Sequence, residues 1–222
     1  MNDGRNRVCP VELANSLDSK IRKWFQDPQK IFSYLFDLQN GMNNRFDCGE
    51  VSPIEFFQSL KESLQLSLSF EEFTPIWNDI FIENQEVSET ILSLKGKWRL
   101  GLLSNTDPLH FEYILSKFPI IWAFDKWILS YKEGFKKPNV QIYQRAIEWA
   151  SVEPRKILFI DDIKGHVEVA ISLGMQGIHF ISAQRLKEEI HRQLLHRLNL
   201  NEIGRACNTN RNSSNDNNLL SH

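Results

Sequence analysis

The second half of the chain alternates short apolar runs with amphipathic stretches, and this alternation restricts the fold more than any other feature. Four runs have the length and composition of buried strands: 98–103, 127–129, 157–160 and 177–181. The stretches with helical spacing are 109–117, 139–150, 165–173 and 184–198. Because strands that alternate with helices usually pair in parallel, the pattern predicts an α/β fold with a Rossmann-like, doubly wound parallel sheet.

The first half of the chain follows a different pattern. Apolar residues recur at helical spacing from Val11 to about Leu94, and Ser52 and Ser69 are typical helix starts. We therefore predict an all-helical domain over 11–96, ahead of an α/β core over 97–200. The stretch 204–222 is rich in Asn and Ser, and we predict a disordered polar tail there.

Charge and composition exclude several classes of protein. The 222 residues carry 26 Lys and Arg against 28 Asp and Glu, a net charge of -2, so no basic field favours nucleic acid. No apolar stretch approaches the roughly 20 residues of a membrane helix, and no secretory signal is visible, so we predict a cytoplasmic protein without membrane contact. Nothing in the sequence indicates an oligomeric state.

Polar residues follow three of the apolar segments, where open parallel sheets bind their ligands. Ser104 and Asn105 follow the first run, and the hydroxyl and turn amides suit a phosphoryl oxygen. Lys137, before Pro138, offers an ammonium that can neutralise a phosphate. Each feature has a simpler interpretation: a turn that caps a helix, or a solvated lysine pair.

Two adjacent carboxylates, Asp161 and Asp162, follow the run 157–160. Such a pair repels itself unless a cation is near, and oxygen ligands at a strand end suit Mg²⁺. A helix cap is the alternative, but we favour the metal site.

The order and spacing of Ser104–Asn105, Lys137–Pro138 and Asp161–Asp162 resemble the haloacid dehalogenase-like (HAD) hydrolase superfamily. The segment 46–52 and the helices after it look like the helical cap of that superfamily. The resemblance implies that Ser104 hydrogen-bonds the transferring phosphoryl group and that Lys137 holds charge on nucleophile and phosphate. It also implies that Asp161 and Asp162 help to bind Mg²⁺.

The sequence departs from the family in two places. His166 stands where the family often has Asn, and we expect it on the surface or beside the site. The nucleophile motif, Asp-x-Asp after an apolar first strand, is not found: Asp37 is followed by Gln39 within a helical pattern. In the family that strand lies between those ending at Ser104 and Asp161. We therefore expect an incomplete sheet, with the true start upstream of Met1 or the gene truncated.

The expected function is that of a Mg²⁺-dependent phosphatase of small phosphorylated metabolites, inactive as printed because the nucleophile is missing. One alternative is a 2-haloacid dehalogenase of the same superfamily, which needs no metal, so the pair Asp161 and Asp162 counts against it. The other alternative is a non-catalytic HAD-fold binding or scaffold protein.

Overall fold

The computed structural model describes residues 41–193. The predicted polar tail, Asp37, the first part of the predicted helical domain and the end of the predicted helix 184–198 lie outside these residues. The predicted domain boundaries stay a prediction.

Four helices form the first part of the described chain: α1 (Met42–Asp47), α2 (Pro53–Leu64), α3 (Phe70–Asn78) and α4 (Gln85–Leu94). Ser52 and Ser69 begin α2 and α3 as predicted, and each forms a capping box with a glutamate three residues on. The helices enclose an aromatic core in which the rings of Phe46 and Phe56 stack at a centroid distance of 4.2 Å. We call 41–96 the helical layer: its aromatic core lies among α1, α2 and α3 and includes Leu109 from the following α/β part, whereas Leu94 of α4 packs against a separate cluster around Ile178.

Strands and helices alternate in the rest of the described chain, as the sequence predicts. The elements are β1 (Gly101–Ser104), α5 (Pro108–Lys117), β2 (Lys126–Leu129), α6 (Ser130–Glu133), α7 (Val140–Ala150), β3 (Leu158–Asp161), α8 (Lys164–Ser172), β4 (Gln176–His179) and a helix from 183 onward. Short 3₁₀ turns occupy Pro119–Ala123 and Pro154–Lys156. All four predicted strands are present, with ends shifted by a few residues.

The strands pair in parallel, which confirms the predicted α/β fold class. β1 pairs with β2, with Ser104 opposite Leu129, and β3 pairs with β4, with Asp161 opposite His179. Among residues 41–193 the two pairs form separate two-stranded sheets. They nevertheless share one apolar core, because Ile128 of β2 and Phe159 of β3 lie in the same buried cluster. The expected absence of a central strand stays a prediction.

The helical layer contacts the α/β part at the carboxyl ends of β1 and β2. Helix α3 packs against α5, and α1 packs against α6. Gly49 lies so close to the chain after β2 that a Cβ built on it would be 2.1 Å from the Tyr131 carbonyl oxygen. None of the described helices has the length and apolar character needed to cross a membrane.

Candidate active site

Lys137 connects the two strand pairs. Its Nζ donates to the Leu103 carbonyl oxygen of β1 at 3.0 Å and to the Asp161 Oδ2 of β3 at 2.6 Å. The side chains of Lys137 and Asp161 are 10% and 5% exposed, so this is a buried ion pair. One ammonium therefore lies at the carboxyl ends of both strand pairs, which is where the sequence places a ligand site.

Asn105 holds the backbone of Lys137. Its Nδ2 donates to the Lys137 carbonyl oxygen at 2.9 Å, and the Lys137 N–H donates to its Oδ1 at 2.7 Å. The peptide bond from Lys137 to Pro138 is cis. The Asn105 side chain thus fixes the peptide from which the ammonium extends, although the two residues are 32 positions apart.

Ser104 ends β1 on the same edge. Its hydroxyl donates to the Asn105 carbonyl oxygen at 3.4 Å, which is at the long limit for such a bond. A ligand oxygen at normal distance would replace that contact at little cost. Thr106, two residues after Ser104, is held by the buried Ser130. The Ser130 Oγ accepts from the Thr106 N–H at 2.9 Å and donates to the Thr106 carbonyl oxygen at 3.0 Å.

The Asp161 carboxylate receives donors on both oxygens. Besides Lys137 at Oδ2, its Oδ1 accepts from the Ile163 N–H at 2.8 Å and from His166 Nδ1 at 3.1 Å. Burial alone would raise the pKa of Asp161, but the hydrogen bond from His166 and the charge and hydrogen bond of Lys137 outweigh it and hold the pKa well below its usual range. Asp161 is therefore an anion at neutral pH. His166 is buried beside it, the second of the two positions that we expected.

Asp162 is exposed, and its carbonyl oxygen lies 2.9 Å from His179 Nε2. Among residues 41–193 no group of three or more His, Cys, Asp or Glu side chains is placed to hold a metal ion. Mg²⁺ commonly takes only one or two protein carboxylates and completes its shell with water and phosphate. The carboxylates of Asp161 and Asp162 fit Mg²⁺ in type and number.

A second ion pair lies next to the site and was missed in the sequence. Lys136 donates to Asn44 Oδ1 and, at 3.1 Å, to Asp47 Oδ2, which ties α1 to the residue before Lys137. Burial raises the pKa of Asp47, and the Lys136 ammonium only partly offsets this. Ser130 was missed as well, although its position directly after the run 127–129 is the signal that the other site residues share.

Residues 40–174 match the family model of the haloacid dehalogenase-like hydrolases. The match covers more than half of the sequence. This chain belongs to that family. The resemblance given by Ser104, Lys137 and Asp161 is thereby confirmed.

Two of the relatives that match this chain are phosphatases of a polyol phosphate and of phosphorylated carbohydrates. The chain is 30% identical over 145 residues to the D-ribitol-5-phosphate phosphatase of Bacteroides thetaiotaomicron, covering 62% of this chain and 70% of that one. It is 26% identical over 129 residues to the phosphorylated carbohydrates phosphatase of Thermotoga maritima, covering 54% and 60% of the two chains.

Solved structures share the fold. A HAD-like hydrolase from Porphyromonas gingivalis aligns with a TM-score of 0.65 at 24% identity, over 83% of this chain and 88% of that one. A HAD family enzyme from B. thetaiotaomicron, in complex with magnesium and inorganic phosphate, aligns with a TM-score of 0.63 at 24% identity, over 80% and 86%. These likenesses confirm the fold class.

Proposed function

We propose that this chain binds the phosphate group of a small phosphorylated metabolite, in the manner of a Mg²⁺-dependent phosphatase. The observation that carries the proposal is the position of the Lys137 ammonium, held at the ends of β1 and β3 with Ser104 on the same edge. The relatives that act on D-ribitol 5-phosphate and on phosphorylated carbohydrates support a polyol or sugar phosphate as the substrate.

Each residue has a distinct part in this proposal. Ser104 donates its hydroxyl hydrogen to a phosphoryl oxygen, and Lys137 supplies a positive charge that a phosphate shares with Asp161. Asn105 acts through Lys137, because it contacts the backbone that carries the ammonium. Asp161 and Asp162 would hold Mg²⁺, which when bound neutralises charge on the phosphoryl oxygens.

Turnover needs a nucleophile, and the printed sequence offers no Asp-x-Asp at any position. Asp161 is assigned to the metal in this proposal, and the residue two positions later, where the acid would stand, is Ile163. We therefore propose that the 222-residue chain binds phosphate but hydrolyses phosphate esters slowly or not at all. If hydrolysis is absent altogether, the chain is the non-catalytic binding protein given above as an alternative.

Calorimetric titration with inorganic phosphate, with and without Mg²⁺, tests the binding site. We expect Lys137→Met to weaken phosphate binding on the order of 10- to 100-fold, because a hydrogen bond to a charged group contributes roughly 1.5 to 3 kcal/mol. Lys117→Met is the matched control, because Lys117 is an exposed lysine at the end of α5. Equal affinities of the two variants would contradict the site.

Turnover is measured separately with D-ribitol 5-phosphate and para-nitrophenyl phosphate. We expect phosphate release no faster than that of Lys137→Met. Mg²⁺-dependent release above that background would support a phosphatase and overturn the proposed lack of turnover.

A further inference from the structure

Asp107 is a fully buried carboxylate three residues after Ser104. It begins α5 and is 1% exposed. Its Oδ1 accepts from the His110 N–H at 2.9 Å, and its Oδ2 accepts from Trp77 Nε1 of the helical layer at 3.2 Å. A buried carboxylate is costly unless a cation pairs with it, and the His110 ring is the group in contact that can supply one.

The His110 ring faces an acceptor at each nitrogen. Nδ1 lies 2.8 Å from Asp107 Oδ2, and Nε2 lies 3.0 Å from the Trp77 carbonyl oxygen. A neutral imidazole has a single N–H and can donate to only one of them, whereas the imidazolium donates to both. The geometry therefore favours the doubly protonated ring.

The surroundings of the ring stabilise a positive charge as well. The Trp77 carbonyl belongs to the last turn of α3, where unpaired carbonyls and the helix dipole attract cations. The ring stacks on the Trp77 indole at a centroid distance of 5.0 Å and an angle of 5°. The Phe81 ring packs edge-on against the His110 ring, at a centroid distance of 5.0 Å, and covers another side of the imidazole with an apolar group.

The charged groups around His110 include more carboxylates than ammonium groups. From α1, Asp47 interacts with both Asp107 and His110, and Lys136 pairs with Asp47. From α6, Tyr131 is partly buried, and burial, followed by the negative charges of Glu112 and Asp107, raises the pKa of its hydroxyl. The carboxylates of Asp47, Asp107 and Glu112 outnumber the single ammonium of Lys136, and an imidazolium at His110 adds a second positive charge.

These contacts join the helical layer to the loop that carries Ser104. Asn105 is hydrogen-bonded to Lys137, and Thr106 to Ser130. Asp107, the next residue of the loop, is hydrogen-bonded to Trp77 of α3 and so connects the loop to that helix. We infer that His110, as an imidazolium, is a positioning residue: it locks α3 onto the phosphate-binding loop, and the lock weakens when the proton is lost. The inference rests on the proposed phosphate site.

The protonation state is measured first, on the full chain, by long-range ¹H–¹⁵N correlation spectra between pH 5.5 and 9. We expect both His110 nitrogens to carry protons at pH 6, with the signal assigned through its contacts to the Trp77 indole. A neutral tautomer at pH 6 would overturn the inference, whether or not phosphate binds.

The coupling to the site is measured as the ratio of phosphate affinities of the unsubstituted chain and His110→Gln, which cancels the titration of phosphate itself. We expect a ratio on the order of 10 at pH 6 that falls towards 1 as His110 loses its proton. His191→Gln, at an exposed histidine, is the control and should give a ratio near 1 throughout. A ratio that does not change with pH would overturn the lock.

Two further measurements keep the inference separate from the proposed function. If His110→Gln does not fold, Trp77→Phe removes the Nε1 donor to Asp107 while leaving the backbone carbonyl, and we expect a smaller loss of phosphate affinity with the same pH trend.

If the unsubstituted chain binds no phosphate, the proposed function fails. The lock is then judged by the melting temperatures of the unsubstituted chain and His110→Gln, which should converge as pH rises. A difference in melting temperature that stays the same at every pH would contradict the lock.

Discussion

The helical layer and the strand edge of this protein are held together by different forces. The helices of 41–96 pack through aromatic rings, with Phe56 in contact with Phe46, Phe73 and Trp77. The strand edge is held by charges and hydrogen bonds, with Lys137, Asn105 and Asp161 as its centre. The difference predicts that changes in the first region, apart from Trp77 with its bond to Asp107, alter mainly stability, and that changes in the second alter mainly ligand binding.

The largest effect is expected in the aromatic core. Phe56→Ala should lower the free energy of unfolding by about 3 to 5 kcal/mol, because Phe56 is fully buried and its removal leaves a cavity. Ile82→Ala, at a side chain that is 90% exposed, should change it by less than about 0.5 kcal/mol. Urea denaturation measures both. If the Phe56→Ala variant folds but loses as much phosphate affinity as Lys137→Met, the two regions do not have separate roles.

The junction of the two regions should respond next. Gly49 and Gly96 both have positive φ, 70° and 76°, but only at Gly49 would a Cβ meet a neighbour. Gly96→Ala should cost about 1 to 2 kcal/mol for its backbone conformation. Gly49→Ala should cost about 1 to 3 kcal/mol more, because the new methyl overlaps the Tyr131 carbonyl. Equal costs in denaturation would show that the contact does not hold the layers.

A smaller effect is expected at a helix start. Ser69→Ala should lower stability by about 1 kcal/mol, since it removes the side chain that accepts the Glu72 N–H. Ser116→Ala, at an exposed serine near the end of α5, should cost less than about 0.5 kcal/mol. Phosphate affinity should stay unchanged in both variants. A loss of affinity in Ser69→Ala would connect the cap of α3 to the strand edge.

The smallest effect is expected in how the free energy of unfolding changes with pH, through the carboxyl group of Asp47. Burial raises the pKa of Asp47 in the folded protein, so the unfolded chain releases its proton first. The contribution of Asp47 to the free energy of unfolding therefore falls as pH rises from about 4 to the folded-state pKa, and is constant above it. Asp47→Asn should remove this fall, and Lys136→Met should enlarge it. Urea denaturation between pH 4 and 8 measures the slopes, and identical slopes in all three chains would contradict the assignment.

Local patterns predicted most of the fold. Ser52 and Ser69 mark helix starts because their bonds reach only three residues along the chain. The apolar runs mark the strands for the same reason, because a run of consecutive apolar residues is a local signal. Their burial is uneven, and Ile160 of β3 is 36% exposed. β1 begins at Gly101 rather than Trp98, because the Trp98 N–H still donates to the Leu94 carbonyl oxygen in the turn after α4, and pairing with β2 starts at Gly101 opposite Lys126.

The sequence pointed to several residues of the candidate site, but not to the contacts between them. Lys137 and Asp161 follow from their places beside apolar segments, yet the bonds from Asn105 to Lys137 and from Trp77 to Asp107 span 32 and 30 residues. No periodicity carries information over such distances. The same holds for His166, whose burial depends on the packing of α8 against β3.

Consecutive lysines hold two separate anions in this protein: Lys136 pairs with Asp47 of α1, and Lys137 pairs with Asp161 of β3. A single peptide unit therefore sets the spacing between the helical layer and the strand edge. Deleting one of the two lysines would leave one carboxylate without its cation, and an insertion between them would change the distance between the two ammonium groups. The tolerance of this loop to length changes is therefore far lower than its position outside the regular elements suggests.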